Sequence, residues 1–173
     1  MDVKIAINER KSIRKYQEKE VSSEILLELI DAARLAPSGN NAQPWKFKII
    51  TDKSLKQKLR ENNIFPQDFV YSVPAIILCC ADPTEYKKNV SGLDDANNLR
   101  AVRDLSIATS FLLLRATELG LGTCYVGWMK KEEILNLLEL PSEYVVPYII
   151  TVGYPAESPD SKPRKNIDEI LIK

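Results

Sequence analysis

Arg10, Ser12 and Arg14 are spaced by two residues near the N-terminus. In an extended segment alternate side chains share one face, so this spacing aligns two guanidiniums and a hydroxyl. Such a set can hold a phosphate or the anionic edge of a ring through charge-assisted hydrogen bonds. A solvated basic stretch has the same composition, and Lys11 and Lys15 complete the only dense basic cluster of the chain. A second group is the run Pro37-Ser38-Gly39-Asn40-Asn41-Ala42-Gln43-Pro44-Trp45. Ser38, Gly39, Asn40, Asn41 and Gln43 supply hydrogen-bonding capacity or backbone freedom without charge, and the two prolines stiffen the ends. A loop of this kind suits the edge of a neutral heteroaromatic ring, which needs fixed donors and acceptors. A plain turn is the other reading.

A third stretch is Gly120-Leu121-Gly122-Thr123-Cys124-Tyr125-Val126-Gly127. Its GxG does not extend to GxGxxG, because Tyr125 occupies the last position, and the glycines follow a long helical pattern rather than opening one. Gly120 therefore reads as a Schellman-type helix stop, and Gly127 as a point where a backbone N–H can approach a ligand closely. Lys162 and Arg164, in a polar tail, either complete a phosphate site or keep the tail soluble. The chain contains no histidine. That excludes Ser-His-Asp and Cys-His catalysis, histidine general-base chemistry and histidine-ligated zinc together. Cys79, Cys80 and Cys124 match no CxxC spacing, their odd number gives no disulfide framework, and the first two read as small buried thiols.

The elements that must position these residues follow from periodicity. Residues 2–9 read as a short helix and 10–16 as extended. Ser22 and Ser23 offer N-caps for a helix with Ile25, Leu26, Leu29, Ile30 and Ala33 on one face, ended by Pro37. Strands are expected at 45–51, 75–81, 123–128 and 145–153, with helices at 54–62 and 131–138. Residues 82–98 are polar and irregular, as an exposed flap would be. From Leu99 to Leu119 the chain is helical and, around Phe111–Leu114, apolar almost all round, which fits a central helix or a dimer interface. The segment 155–166 is too polar and proline-rich to pack by itself, and it ends in a short β-prone run, IDEILIK. Strands and helices alternate in no clean βαβ series, so the expected class is α+β with a mixed or antiparallel sheet.

The 173 residues, 45% hydrophobic and 28% charged, fit one globular domain. Lys plus Arg and Asp plus Glu both number 24, a zero balance that argues against a general nucleic-acid binder. No apolar run approaches the roughly 18 residues of a membrane span, and the first residues lack a signal-peptide core. The expectation is a cytoplasmic protein with neither membrane nor nucleic acid among its partners.

Taken together, the chain resembles the nitroreductase family of flavin mononucleotide (FMN) enzymes from end to end. The resemblance rests on Arg10-Lys11-Ser12-Ile13-Arg14, on Ala32-Ala33-Arg34-Leu35-Ala36-Pro37-Ser38-Gly39-Asn40-Asn41-Ala42-Gln43-Pro44-Trp45, on Arg103-Asp104-Leu105-Ser106-Ile107-Ala108, on Glu118-Leu119-Gly120-Leu121-Gly122-Thr123-Cys124 and on Lys162-Pro163-Arg164. It implies an α+β fold with a mixed or antiparallel sheet flanked by helices, working as an intertwined homodimer with two FMN sites at the interface. Residues 1–173 would form a single domain, with 155–173 extending over the partner subunit.

By this resemblance the cofactor-binding residues are Arg10, Lys11, Ser12, Arg14, Pro37, Ser38, Gly39, Asn41, Gln67, Val126, Gly127, Lys162 and Arg164. Arg10 and Ser12 would hold the phosphate and ribityl chain, and Arg14 would sit near the pyrimidine end of the ring. Pro37, Ser38, Gly39 and Asn41 would come from the other subunit. Val126 and Gly127 would bring backbone groups towards the flavin N5, and Lys162 and Arg164 would close on the phosphate. No side chain is required as a catalytic acid or base, since flavin N5 carries the hydride. NADH or NADPH would be the transient donor, and a nitroaromatic, quinone or similar small acceptor the oxidant, in ping-pong kinetics. The alternatives are a specialised flavin-dependent relative with another donor or substrate, and a non-enzymatic module that binds a phosphoryl ligand. The short 82–98 region and the valine at position 126 depart from larger members and bear on the substrate.

Overall fold

The computed structural model of the chain describes residues 2–86 and 96–172. Four strands, β1 (Trp45–Ile50), β2 (Ala75–Ala81), β3 (Gly122–Val126) and β4 (Val145–Gly153), form one antiparallel sheet in the order β1-β2-β4-β3. The register pairs Trp45 with Ala81, Ile77 with Ile150, and Gly122 with Gly153. β2 is buried along its whole length, and its continuous AIILCCA sequence follows from cover on both faces. Ala75, Ile77, Cys79 and Ala81 pack into one apolar cluster, and Ile76, Leu78 and Cys80 into the other. The two adjacent cysteines thus point to opposite sides of the sheet, and burial pushes both thiols up, that of Cys80 to about 12.

On the first face lie α2 (Ser23–Arg34) and α4 (Ala96–Glu118); on the second lie α3 (Lys53–Glu61) and α5 (Lys131–Leu137). Ser22 caps α2 by accepting the Ile25 N–H, and Asp52 caps α3 by accepting the Leu55 N–H at 2.7 Å. These caps satisfy N–H groups that the first helical turn leaves without partners. α1 (Val3–Glu9) rests on α4 with Ala6 buried. The 23-residue α4 is central, with Ala101, Leu105, Ala108, Leu112 and Ala116 fully buried.

It is not covered all round. Phe111 is 41% and Leu99 70% exposed, so the apolar girdle read from the sequence extends beyond what one chain buries. The helix ends in a Schellman arrangement at Gly120, whose φ is +72°. The Gly120 N–H donates to the Thr117 carbonyl and the Leu121 N–H to the Ala116 carbonyl, at 3.0 and 2.8 Å.

Two expectations need correction. Of the residues expected in an exposed flap at 82–98, Asp82 and Tyr86 are buried, Pro83–Glu85 form a 3-10 turn, and 96–98 already belong to α4; residues 87–95 lie outside the described ones. The tail run expected to be β-prone contains instead the short helix α6 (Ile167–Ile170). The Glu169 carboxylate accepts the Asn166 N–H at 2.8 Å, and this local cap outweighs the β preference of the isoleucines. Among the described residues no helix is long and apolar enough to cross a membrane.

Candidate functional site

The segment after α1 runs extended beside the sheet. Ser12 forms a parallel bridge to Thr123, with the Ile13 N–H donating to the Thr123 carbonyl at 2.9 Å. Farther on, Tyr16 bridges Pro155, the Gln17 N–H donates to the Tyr154 carbonyl and the Ala156 N–H to the Lys15 carbonyl. The Glu157 carboxylate then accepts the Arg14 and Lys15 N–H groups at 2.6 and 3.1 Å. These bonds hold its carboxyl below the usual range. The 10–17 segment is therefore held between β3 and the chain that follows β4. This placement depends on Gly122, where an added Cβ would lie 2.8 Å from Cγ1 of Ile13. The second glycine of the GxG is a packing requirement of the 10–17 segment.

The alternation expected of 10–14 is present. Arg10 and Ser12 line a cleft of about 350 Å³ with Ser110, Leu113 and Leu114 of α4 and Tyr125 of β3. Lys11 faces away, into a separate cleft with Glu9, Thr117 and Glu157, so it does not join Arg10 and Ser12. Burial pushes the Cys124 thiol up, while Arg14, a hydrogen bond with Ser12, and Arg10 all act against that shift. Arg10 and Ser12 thus share the cleft, whereas Arg14 is exposed and does not line it. Neither guanidinium has a hydrogen bond or ion pair with any described residue.

The wall opposite Arg10 is a hydroxyl chain that the sequence reading missed. The Tyr125 hydroxyl donates to Thr109 Oγ1 at 2.7 Å, Thr109 Oγ1 and the Tyr148 hydroxyl are 2.9 Å apart, and the two tyrosine rings meet edge to face. In the sequence Tyr125 signals only a break in the glycine pattern.

The 37–44 loop lies elsewhere on the chain. Gly39–Asn41 form a 3-10 turn, and Asn40, Asn41 and Gln43 take φ values of 55°, 54° and 49°. Asparagine tolerates this left-handed region; glutamine does so rarely. Gln43 is held there by its N–H, which donates to Ser38 Oγ at 2.9 Å. The Asn40 and Asn41 side chains make no hydrogen bond with any described residue and face solvent with Pro37. The Gly39 N–H donates to Asp104 of α4 at 2.7 Å.

Val126 ends β3 and is buried; Gly127 follows and is exposed, as is Trp128 at 74%. The Lys130 N–H donates to the Ile64 carbonyl at 2.9 Å, which draws the segment carrying Gln67 alongside the residues after β3. Gln67 Oε1 is buried without a hydrogen-bond partner among the described residues. Lys162 and Arg164 are exposed, make no hydrogen bond or ion pair with a described residue, and are not brought to the Arg10 cleft of their own chain.

The model of the nitroreductase family matches residues 7–64 and 65–154. A relative from Methanothermobacter thermautotrophicus, provisionally named NADH dehydrogenase/NAD(P)H nitroreductase, is 35% identical over 178 residues, covering 100% of this chain and 87% of its own. An FMN reductase [NAD(P)H] from Bacillus subtilis is 33% identical over 171 residues, or 92% of this chain and 68% of its own. The crystal structure of a nitroreductase family protein from Clostridium difficile superposes with a TM-score of 0.82 at 30% identity, covering 99% of this chain and 97% of that one.

Proposed function

The chain belongs to the nitroreductase family, and from that premise we propose that it is an FMN-dependent oxidoreductase. It takes hydride from NADH or NADPH and passes electrons to a small nitroaromatic, quinone or similar acceptor. The observation that carries the reading is the cleft at Arg10 and Ser12. A part-buried guanidinium with no counter-ion among the described residues stands beside a hydroxyl, in a hollow of about 350 Å³ whose other walls are Ser110, two leucines and a tyrosine. That donor set matches a phosphate monoester carrying a polyol.

Gln67 Oε1, buried with no partner among the described residues, is an acceptor of the kind that a ligand N–H satisfies. The Asn40 and Asn41 side chains, which bond no described residue, supply the uncharged donors and acceptors that a heteroaromatic edge requires. The residues present therefore fit FMN. When bound, it would supply the hydride and electron transfer for which this histidine-free chain has no side chain.

The residues have distinct parts in this reading. Arg10 and Ser12 hold the phosphate end, and Lys162 and Arg164, which do not reach that cleft within one chain, close on it across the dimer. Arg14 places positive charge beside the ring, where it favours the reduced, anionic form. Pro37, Ser38, Gly39 and Asn41 face the ring of the partner subunit's cofactor, while the backbone at Val126 and Gly127 lines the reacting edge. Lys11 is left to the neighbouring cleft. Donor and acceptor enter the same place in turn, which gives ping-pong kinetics.

The test is the absorbance spectrum of the purified protein, followed under anaerobic NADH and then NADPH. Flavin bands that bleach on mixing support the reading. Bands that persist leave the cofactor and transfer the electron supply to another donor. No bands, even after incubation with FMN, would return the Arg10 cleft to a phosphoryl-ligand module without redox chemistry.

A further inference from the structure

Asp104 lies in the middle of α4 and is 1% exposed. One carboxylate oxygen accepts the Gly39 N–H at 2.7 Å and the Tyr86 hydroxyl; the other accepts Nε of Arg103 at 2.9 Å. Arg100 stacks over the Tyr86 ring at 4.1 Å. Burial alone would raise this carboxyl, but the three donors outweigh it and hold it below its ordinary value. A buried carboxylate is thus the node that fastens the 38–43 loop and the Tyr86 segment to the central helix.

The loop is also crowded there. A Cβ on Gly39 would approach Nη2 of Arg103 to 3.3 Å and the Asp104 carboxylate to 3.5 Å. With three residues in left-handed conformations, the loop stores backbone strain that these outside bonds must hold.

The position of the node decides which site the loop can serve. The Arg10 cleft uses Ser110, Leu113 and Leu114 of the same helix. Ser110, Leu113 and Leu114 lie about 9–15 Å farther along the axis than Asp104 and roughly 120°, 180° and 80° around it, which sets the cleft away from Asp104 on α4. The loop of one chain and the Arg10 cleft of that chain therefore diverge.

We propose that Asp104 is a positioning residue: through Gly39 and Tyr86 it sets the conformation of the 38–43 loop that completes the flavin site of the partner subunit. The inference rests on the flavin reading above, and it assigns Asp104 no contact with cofactor or substrate.

The experiment measures FMN affinity of the flavin-free dimer by quenching of flavin fluorescence, for wild type, Asp104→Asn and Tyr86→Phe. A charge-assisted bond to a fixed loop is replaced by a weaker neutral one in D104N, so its dissociation constant should rise roughly tenfold. Y86F removes one donor while leaving the carboxylate, and it should show a smaller rise in the same direction, which keeps the test open if D104N folds poorly. A merely structural role is separated by co-expressing two differently tagged chains, one carrying Arg10→Ala and Ser12→Ala, the other D104N. Action in the partner's site leaves one site of the heterodimer with every defect and the other with none, so half the sites bind as wild type. Action within its own chain leaves every site defective and would overturn the proposal, as would equal FMN affinity in wild type, D104N and Y86F. Failure of wild type to take up FMN would instead remove the flavin reading, and this inference with it.

Discussion

Replacing Gly122 by alanine tests whether the site depends on close approach of the 10–17 segment to β3. The new Cβ would sit 2.8 Å from Cγ1, 2.9 Å from Cβ and 3.0 Å from Cγ2 of Ile13, against roughly 3.5–4.0 Å for comfortable carbon contacts. A rotamer change does not relieve this, because Ile13 Cβ is fixed to the backbone. The segment must retreat by about 0.5–1 Å, which takes the Ile13 N–H to Thr123 carbonyl bond from 2.9 Å to the limit of a hydrogen bond. Overpacking of this kind costs about 1–3 kcal/mol, and the lower entropy of an unfolded alanine returns about 0.4–1 kcal/mol. The net loss, about 1–2 kcal/mol, corresponds to a drop in Tm of roughly 2–8 °C for a domain of this size. Because Arg10 and Ser12 ride on the displaced segment, FMN affinity should fall with it. Thermal unfolding of the flavin-free protein and fluorescence titration of FMN measure the two effects separately. A G122A protein with wild-type Tm and wild-type FMN affinity would refute the argument that this glycine sets the cleft.

Three further outcomes follow from the structure. Glu157 has its carboxyl held below its ordinary value by the Arg14 N–H foremost, so its grip on the segment is present above the ordinary glutamate range and is lost as pH falls through the lower folded value. Amide exchange at Arg14 and Lys15 should quicken in that acid window, and Glu157→Gln should show the quick exchange already at neutral pH. Thr109→Val removes the shared partner of the Tyr125 and Tyr148 hydroxyls inside the protein, and should cost about 1–3 kcal/mol in urea unfolding; an unchanged midpoint would mean that the hydroxyl chain is not a stabilising network. Truncation after Pro155 should reduce both flavin content and dimer stability, measured by absorbance and light scattering, and a stable flavin-replete dimer would contradict the part given to the tail.

The sequence made the scaffold readable wherever the signal was local. Ser22, the 45–51 alternation, the AIILCCA run and Gly120 each report on neighbours a few residues away, and the helices and strands fell within a few residues of those signals. The site was legible as residue types but not as geometry. Arg10, Ser12 and Arg14 could be assigned to one side by their spacing, whereas Asp104 could not be paired with Gly39, which is 65 residues away in sequence. In a helix that also carries Arg100 and Arg103, one aspartate reads as part of a solvated face, and only the fold reveals that it is buried. The tail failed for the opposite reason. Its isoleucines carry a β preference, and a four-residue helix leaves no periodicity to detect; only the Asn166 and Glu169 spacing could have signalled it.

The features that a single chain leaves unexplained share one physical cause under the proposed function. α1 turns Val3, Ile5 and Ile7 outward, α4 exposes Leu99 and Phe111, and the tail leaves Ile167, Ile170, Leu171 and Ile172 in water. So many exposed large apolar side chains are unfavourable for a free monomer. The polar features are equally incomplete among the described residues: Arg10 pairs with no carboxylate, Gln67 Oε1 accepts no hydrogen bond, and in the fastened 38–43 loop the Asn40 and Asn41 side chains make none. Had the loop evolved to serve its own chain, a position on the Ser110–Leu114 side of α4 would have sufficed. It is fastened instead through a buried carboxylate away from that stretch of the helix, so under the proposed function a second copy of the chain would answer both the apolar strips and the separated halves of the site. An interface that weakened the apolar contacts alone should therefore empty the flavin sites, even with every cofactor-binding residue intact.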